Sequence, residues 1–205
     1  MEEEEPPPAP YTAFLERMVG KMPELRSAPN LEVELINRGV VGELTDDMLA
    51  RLDRDVLGPR PDAVIILGGS NDLGWGLEPE TIVENLAQMT DGALVCGIQP
   101  VACTVPSVLG FDAGIQPRLR LNELVKKRSA DRGVACVDLF SATSDSAGRL
   151  REDYSNDGLH LSTAGYKAVA DAIFSGAVSG IVLDRLRCVR NPRSITASGR
   201  LQSAF

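Results

Sequence analysis

Residues 63–69, with the sequence AVIILGG, restrict the fold more than any other segment of the chain. Ala63 to Leu67 is the longest uninterrupted apolar run, and it is far shorter than the roughly 18 residues that a membrane-spanning helix needs. We therefore expect no membrane span. A continuous run of this length suits a parallel strand that is buried on both faces, and the glycine pair predicts a turn directly after it.

Short β-branched runs alternate with longer helical patterns along the chain. Strands are predicted over 31–37, 63–69, 93–101 and 134–139. Apolar residues at helical spacing predict helices over 11–25, 45–56 (with Thr45 as N-cap), 78–89, 115–132 and 163–174. This alternation predicts a layered α/β domain with a mostly parallel sheet, in which ligands bind at the carboxyl ends of the strands.

Composition excludes several classes of protein. With 205 residues, 43% of them hydrophobic and 24% charged, we expect one domain with a real core. The net charge of −8 argues against nucleic-acid binding. A zinc site is not expected, since there is one histidine and no CxxC pair among the cysteines, which we predict to be reduced: Cys96, Cys103, Cys136 and Cys188. No secretory signal is evident, and we expect a cytoplasmic protein.

The two ends differ from the middle of the chain. Residues 1–10, MEEEEPPPAP, combine adjacent carboxylates with prolines and predict a disordered arm. Residues 181–205 contain several arginines and, towards the end, no sustained period, so we expect a loose tail, with a basic interaction tail as the alternative. The domain itself is assigned to residues 11–180.

Two predicted turns after strands carry glycines and polar residues. In NRGVVGELT, Gly39 and Gly42 precede a helix and leave backbone N–H groups accessible to an anion, or they form only a βα turn. In GGSNDLG, Asn71 can offer its amide to a developing oxyanion, or it caps an Asx-type turn.

The segment NDGLHLS contains His160, the only histidine in the chain. Asp157 lies three residues earlier and can accept the imidazole proton on the same side of a helical turn. That contact would fix the tautomer and leave the other ring nitrogen as a general base. The alternative is a helix-capping Asp157 beside a structural histidine.

Taken together, NRGVVGELT, GGSND and DGLHLSTAGY resemble the blocks of the SGNH (GDSL-type) hydrolase family, from about Tyr11 to Phe174. The resemblance implies a three-layer, flavodoxin-like α/β/α domain that cleaves acyl or acetyl esters through a Ser-His-Asp triad. It implies an oxyanion hole from the Gly42 N–H and the Asn71 amide, with His160 as the base and Asp157 as its orienter. It implies a small-molecule ester substrate and neither a metal nor an organic cofactor.

The nucleophile block of that family is missing. By resemblance, a first strand ending in a Gly-Asp-Ser turn should lie between the strands at 31–37 and 63–69, and no serine occurs before Ser27. We therefore expect an incomplete chain, because unpaired buried strand edges would cost about 1–3 kcal/mol for each unsatisfied group. Ser70 is a weak substitute nucleophile; Ser107 and Ser162 are weaker, and Ser162 is predicted to cap the last helix.

Two alternatives to an ester hydrolase follow from the sequence. One is a pseudoenzyme or binding domain that has kept the pocket and lost the chemistry. The other is a flavodoxin-like protein with a phosphate-type ligand, although neither GxGxxG nor GxxxxGK[ST] is present. The loops at 74–79 and 106–117 are expected to shape acyl-chain specificity, and Trp75 to line the pocket or pack on the last helix.

Overall fold

The computed structural model describes residues 10–28, 31–190 and 199–204, so the predicted acidic arm lies outside the described residues except for Pro10. Five strands form one parallel sheet in the order β1-β5-β2-β3-β4. Their bounds are β1 Val33–Asn37, β2 Ala63–Ile66, β3 Gln99–Cys103, β4 Ala135–Val137 and β5 Gly199–Ala204. The helices are α1 Tyr11–Gly20, α2 Pro23–Arg26, α3 Thr45–Ala50, α4 Ser70–Gly74, α5 Pro79–Val95, α6 Ile115–Asp131, α7 Leu139–Thr143, α8 Thr163–Ile173 and α9 Ser179–Arg190.

Strand β2 separates two apolar cores. Ala63 and Ile65 pack in one core with α1, α8 and α9, whereas Val64 and Ile66 pack in the other with α3, α5 and α6. Successive side chains of a strand point to opposite faces, so all four are buried. The predicted three-layer α/β/α arrangement is confirmed.

Several element boundaries differ from the sequence-based predictions. The helix predicted over 11–25 breaks before Pro23, which has no N–H and holds Met22 in an extended conformation. The strand predicted over 93–101 is wrong at its start, because α5 continues to Val95 and β3 begins only at Gln99. Ala93 is fully buried on α5, and the turn at Gly97 has a positive φ of 73°.

The chain after residue 180 also differs from the predicted tail. A continuous helical stretch runs from Thr163 to Val189, and Ile181, Val182 and Leu186 of α9 are buried in the core. By length and apolar composition this stretch could cross a membrane, and its buried residues pack against α1 and the sheet. Residues 191–198 of the predicted tail lie outside the described part of the chain.

Strand β5 occupies the position that the family resemblance assigns to the missing first strand. It pairs in parallel with β1 on one side and with β2 on the other, with Leu201 opposite both Leu35 and Ala63. The expected unpaired edges of β1 and β2 are therefore not observed. A further strand is therefore not needed here to pair the backbone groups of β1 and β2. This corrects the expectation of an incomplete chain as far as it rested on unpaired strand edges.

Candidate active site

A cleft of about 240 Å³ opens at the carboxyl edge of the sheet. The loops that follow β1, β2 and β3 form three of its sides, and the turn at residues 159–161 forms the fourth. Its lining includes Ser70, Asn71 and His160. Residues that are far apart in the sequence thus meet where a parallel sheet is expected to bind its ligand.

The turn after β2 needs glycine at position 69. Gly69 has a φ of 110°, and a Cβ atom there would lie 2.9 Å from Ile82 Cγ2 and from Leu121 Cδ2. This left-handed residue stops β2 and starts α4. Asn71 is consequently presented at the surface of the cleft, where its Nδ2 donates to the backbone oxygen of Glu43 over 2.9 Å. The second N–H of the same amide remains available to a ligand.

Asp72 is a site residue that the sequence analysis missed. Its side chain is completely buried, and its Oδ1 accepts hydrogen bonds from Thr45 N at 3.0 Å and from Thr45 Oγ1 at 2.5 Å. Thr45 is not the N-cap that we predicted; it is the first residue of α3, and Asp72 satisfies its N–H instead. The bonds of Asn71 and Asp72 together tie the turn after β2 to the loop after β1. The one feature of the sequence that could have indicated the structural role of Asp72 is its position directly after Asn71, the candidate oxyanion donor.

Gly42 lies in the loop after β1, directly before Glu43. Its φ of 77° is a left-handed conformation, and it is exposed. Gly39, Val40 and Glu43 of this loop line the cleft, whereas Gly42 is not among the lining residues. The structure therefore places Gly42 beside the cleft, next to the carbonyl that holds Asn71.

Asp157 and His160 form the contact that the sequence predicts. Their Oδ2 and Nδ1 atoms are 2.6 Å apart, and both side chains are exposed. Asp157 Oδ1 also accepts from the backbone N–H groups of Leu159 and His160, but these residues lie in a bend and no helix begins there, so the helix-capping alternative is wrong. The hydrogen bond from His160, followed by these two backbone bonds, lowers the pKa of Asp157 below its ordinary value.

Local contacts hold this turn in place. Ser155 Oγ donates to the backbone oxygen of His160 and accepts from the N–H of Gly158. Gly158 has a φ of 85°, and a Cβ atom there would lie 2.5 Å from the backbone oxygen of Leu109. Because Nδ1 of His160 is directed at Asp157, Nε2 is the ring nitrogen left for chemistry in the cleft.

The serines differ in what they can offer. Ser70 lines the cleft as the first residue of α4. Both Ser70 and His160 are described by the structure, and no hydrogen bond joins them. Ser107 donates its hydroxyl to the backbone oxygen of Gly148, and Ser162 caps α8, as predicted. Ser203 of β5 pairs with Ile65, three residues before Gly68. Its backbone therefore lies about 10 Å below the glycine turn along the strand direction.

Trp75 contradicts both of our predictions for it. It follows α4, its side chain is 78% exposed, and it neither lines the cleft nor packs on the last helix. Cys96 and Cys136 are half-buried, and Cys96 lies at the end of α5 and not in the strand predicted over 93–101. Burial raises the pKa of the Cys136 thiol, consistent with an unreactive side chain.

The profile of the GDSL-like lipase/acylhydrolase family matches residues 6–168, which include all the site residues described above. The chain belongs to this family. No curated protein sequence matches the chain.

Three solved structures illustrate the likeness in fold. The acetylxylan esterase Axe2 from Geobacillus stearothermophilus has a TM-score of 0.71 at 20% identity, with 82% of this chain and 80% of that one covered. TesA has a TM-score of 0.68 at 18% identity, with 84% and 88% covered. A GDSL-like lipase from Bacteroides thetaiotaomicron has a TM-score of 0.65 at 17% identity, with 84% and 99% covered. At these identities, the structures support the shared fold.

Proposed function

We propose that this domain hydrolyses acyl or acetyl esters of small molecules, with His160 as the general base and Asp157 as its orienter. The observation that carries the proposal is the 2.6 Å contact between His160 Nδ1 and Asp157 Oδ2 at a cleft that Asn71 also lines. An imidazole oriented in this way can accept a proton through Nε2. The esterase named among the solved structures supports the same class of substrate.

The reaction needs a serine and an oxyanion site. As a serine oxygen attacks the ester carbonyl, its proton passes to Nε2 of His160, and the carbonyl oxygen takes up the negative charge. The free N–H of Asn71 would stabilise that charge, and the family resemblance adds the backbone N–H of Gly42, which lies beside the cleft. The departing alcohol then takes the proton from His160, and water repeats the sequence to release the acid.

We further propose that the nucleophile comes from a segment outside these 205 residues. The support is that the serines described at the cleft lack the required contact: Ser70 makes no hydrogen bond with His160, and the Ser107 hydroxyl is occupied by Gly148. Ser70 stays the candidate within the chain. A serine with its own base contact would normally lie within hydrogen-bond reach.

Labelling with an alkyl fluorophosphonate tests the nucleophile directly, since the probe bonds covalently to an activated serine and releases fluoride. The 205-residue chain and the longest form of the natural protein are compared by intact mass and peptide mapping. We expect one label, in the longer form only, on an upstream serine, and no label when His160 is replaced by alanine. A label on Ser70, lost in Ser70→Ala and retained in Ser107→Ala, would instead place the nucleophile inside the chain.

A binding domain without turnover is the second candidate function. The same observation favours it, because the described residues present a base and an orienter with no serine in contact. If neither form is labelled and neither hydrolyses p-nitrophenyl acetate, the proposal of hydrolysis is wrong and the cleft is a binding site.

A further inference from the structure

A second cavity lies on the other side of the turn that carries Asp157 and His160. It has a volume of about 500 Å³ and is lined by residues from three segments: 73, 74 and 76; 108–111, 113, 114, 117 and 118; and 157–159. We call it the side cavity. Leu159 lines both the side cavity and the catalytic cleft, so the two spaces are neighbours across one residue. Apolar side chains form much of its wall, among them Leu73, Val108 and Phe111.

Arg118 of α6 is the cation in this wall. It is only 4% exposed, and within the described part of the chain its one hydrogen bond runs from Nη1 to the backbone oxygen of Gly114 over 3.1 Å. Its Nε is buried and has no hydrogen-bond partner. Among the described residues, no carboxylate forms a salt bridge with it.

An arginine in this state is costly. A guanidinium has five N–H donors and stays charged, and burial of such a charge without an anion is unfavourable. Desolvation accordingly lowers the pKa of Arg118, although the group remains a cation at neutral pH. Arg51 shows the ordinary arrangement in this protein, since it is also largely buried but bonds to Glu43 and Asp55.

We propose that the side cavity binds an anionic group, a carboxylate or an organic sulfate or phosphate, carried on an apolar chain, and that Arg118 is its partner. The apolar wall receives the chain, and the planar guanidinium matches the oxygens of the anion. Asp157 also lines the cavity, but His160 and two backbone N–H groups occupy its oxygens. Because this carboxylate keeps its negative charge and repels an anion, the anion binds at the Arg118 end, away from Asp157.

Because the side cavity adjoins the catalytic cleft, binding of an anion there would affect which esters are cleaved. As an inference that rests on the proposed function, the preferred substrates are esters with a negative charge remote from the scissile bond. The ester would lie at His160 while the charged end enters the side cavity past Leu159. The overall charge of −8 repels anions in general, so selectivity for an anion has to come from a local cation such as Arg118.

Calorimetric titration with matched eight-carbon probes tests the binding site without any need for turnover. Octanoate, octyl sulfate and octan-1-ol are compared below their aggregation limits at pH 7.5. We expect octanoate to bind at least about tenfold more tightly than the alcohol, because its carboxylate can form a charge-assisted hydrogen bond with the guanidinium of Arg118 and the alcohol cannot. If octyl sulfate binds as tightly as octanoate, the site accepts oxyanions in general. If it binds only as weakly as octan-1-ol, the site is specific for a carboxylate.

Variants on the same helix supply the controls. Arg118→Met should remove the preference for the anion and still fold, since an apolar side chain of similar length replaces a buried unpaired charge. Arg120→Met removes the same charge from an exposed side chain paired with Glu80, and it should retain the preference. His160→Ala should also retain it, which separates failure of this site from failure of the proposed hydrolysis.

Two results would overturn the proposal. One is equal affinity of the wild-type protein for octanoate and octan-1-ol, a comparison that needs no variant. The other is an unchanged preference for octanoate in a folded Arg118→Met protein, as judged by circular dichroism.

Discussion

The two sides of the catalytic cleft are held in place by different means. On one side, Asn71 stands on a turn whose neighbour Asp72 is fully buried and bonded to Thr45, 27 residues away in the sequence. On the other side, Asp157 and His160 are exposed and bond to each other across three residues. The oxyanion side is thus part of the core, whereas the proton-transfer side is a local surface turn. Changes on the first side should alter stability, and changes on the second side should alter chemistry alone.

The largest expected effect is the loss of turnover in His160→Ala. In the form that hydrolyses p-nitrophenyl acetate, kcat should fall by about three to four orders of magnitude, because the general base is removed. The free energy of unfolding should change by less than about 0.5 kcal/mol, since the side chain is exposed.

Asp153→Asn is the matched control, an exposed carboxylate in the same segment whose side chain bonds to Arg151. It should leave both kcat and stability unchanged. Appreciable activity in His160→Ala would exclude His160 as the base and remove the chemical distinction between the two sides.

The next effect is a loss of stability in Asp72→Ala. The N–H and the hydroxyl of Thr45 would be left buried without this acceptor, and α3 would lose its cap, so we expect a destabilisation of about 2–4 kcal/mol in urea unfolding. Asp72→Asn should cost less, because the amide oxygen can still accept from Thr45.

Asp46→Ala controls for the loss of a carboxylate near the same helix end. Asp46 is exposed and, among the residues that the structure describes, accepts only from the neighbouring N–H of Asp47, so its replacement should cost less than about 1 kcal/mol. If Asp72→Ala and Asp46→Ala cost the same, the oxyanion side is not anchored through Asp72.

The smallest effect concerns the titration of Asp157. Its pKa is lowered mainly by the hydrogen bond from His160, with smaller contributions from two backbone N–H groups. In His160→Ala the pKa should therefore rise, yet remain below the usual value of about 3.9 because the backbone bonds persist. Carbon-13 NMR of the carboxyl group measures this midpoint.

The sign of the corresponding pH dependence follows from the same shift. A depressed folded-state pKa contributes stability above the unfolded pKa, and that contribution is lost as the pH falls through the folded pKa. Asp157 therefore stays ionised above about pH 4, and its orienting role persists over the neutral range. An unchanged midpoint in His160→Ala would mean that the imidazole does not set the charge state of Asp157.

Strands β2 and β5 show which strands a sequence pattern can predict and which it cannot. Strand β2 was predicted because AVII is a continuous apolar run, as expected for a strand buried on both faces. Strand β5, GRLQSA, lies beside β2 in the same sheet but contains glycine, arginine, glutamine and serine. No composition rule selects such a segment as a central strand, so the prediction of a loose tail was wrong for residues 199–204.

The sequence alone determined the layered α/β class, strand β2 and the Asp157–His160 contact, because each depends on residues within one element or one turn. Only the tertiary structure decided that β5 lies between β1 and β2, that Asp72 caps α3, and that Arg118 is buried without an anion. These depend on which backbone groups and charges are brought together from distant parts of the chain. Buried hydrogen-bonding groups and charges need partners, and these partners come from whichever segments the fold brings near them. A local sequence pattern does not specify those segments.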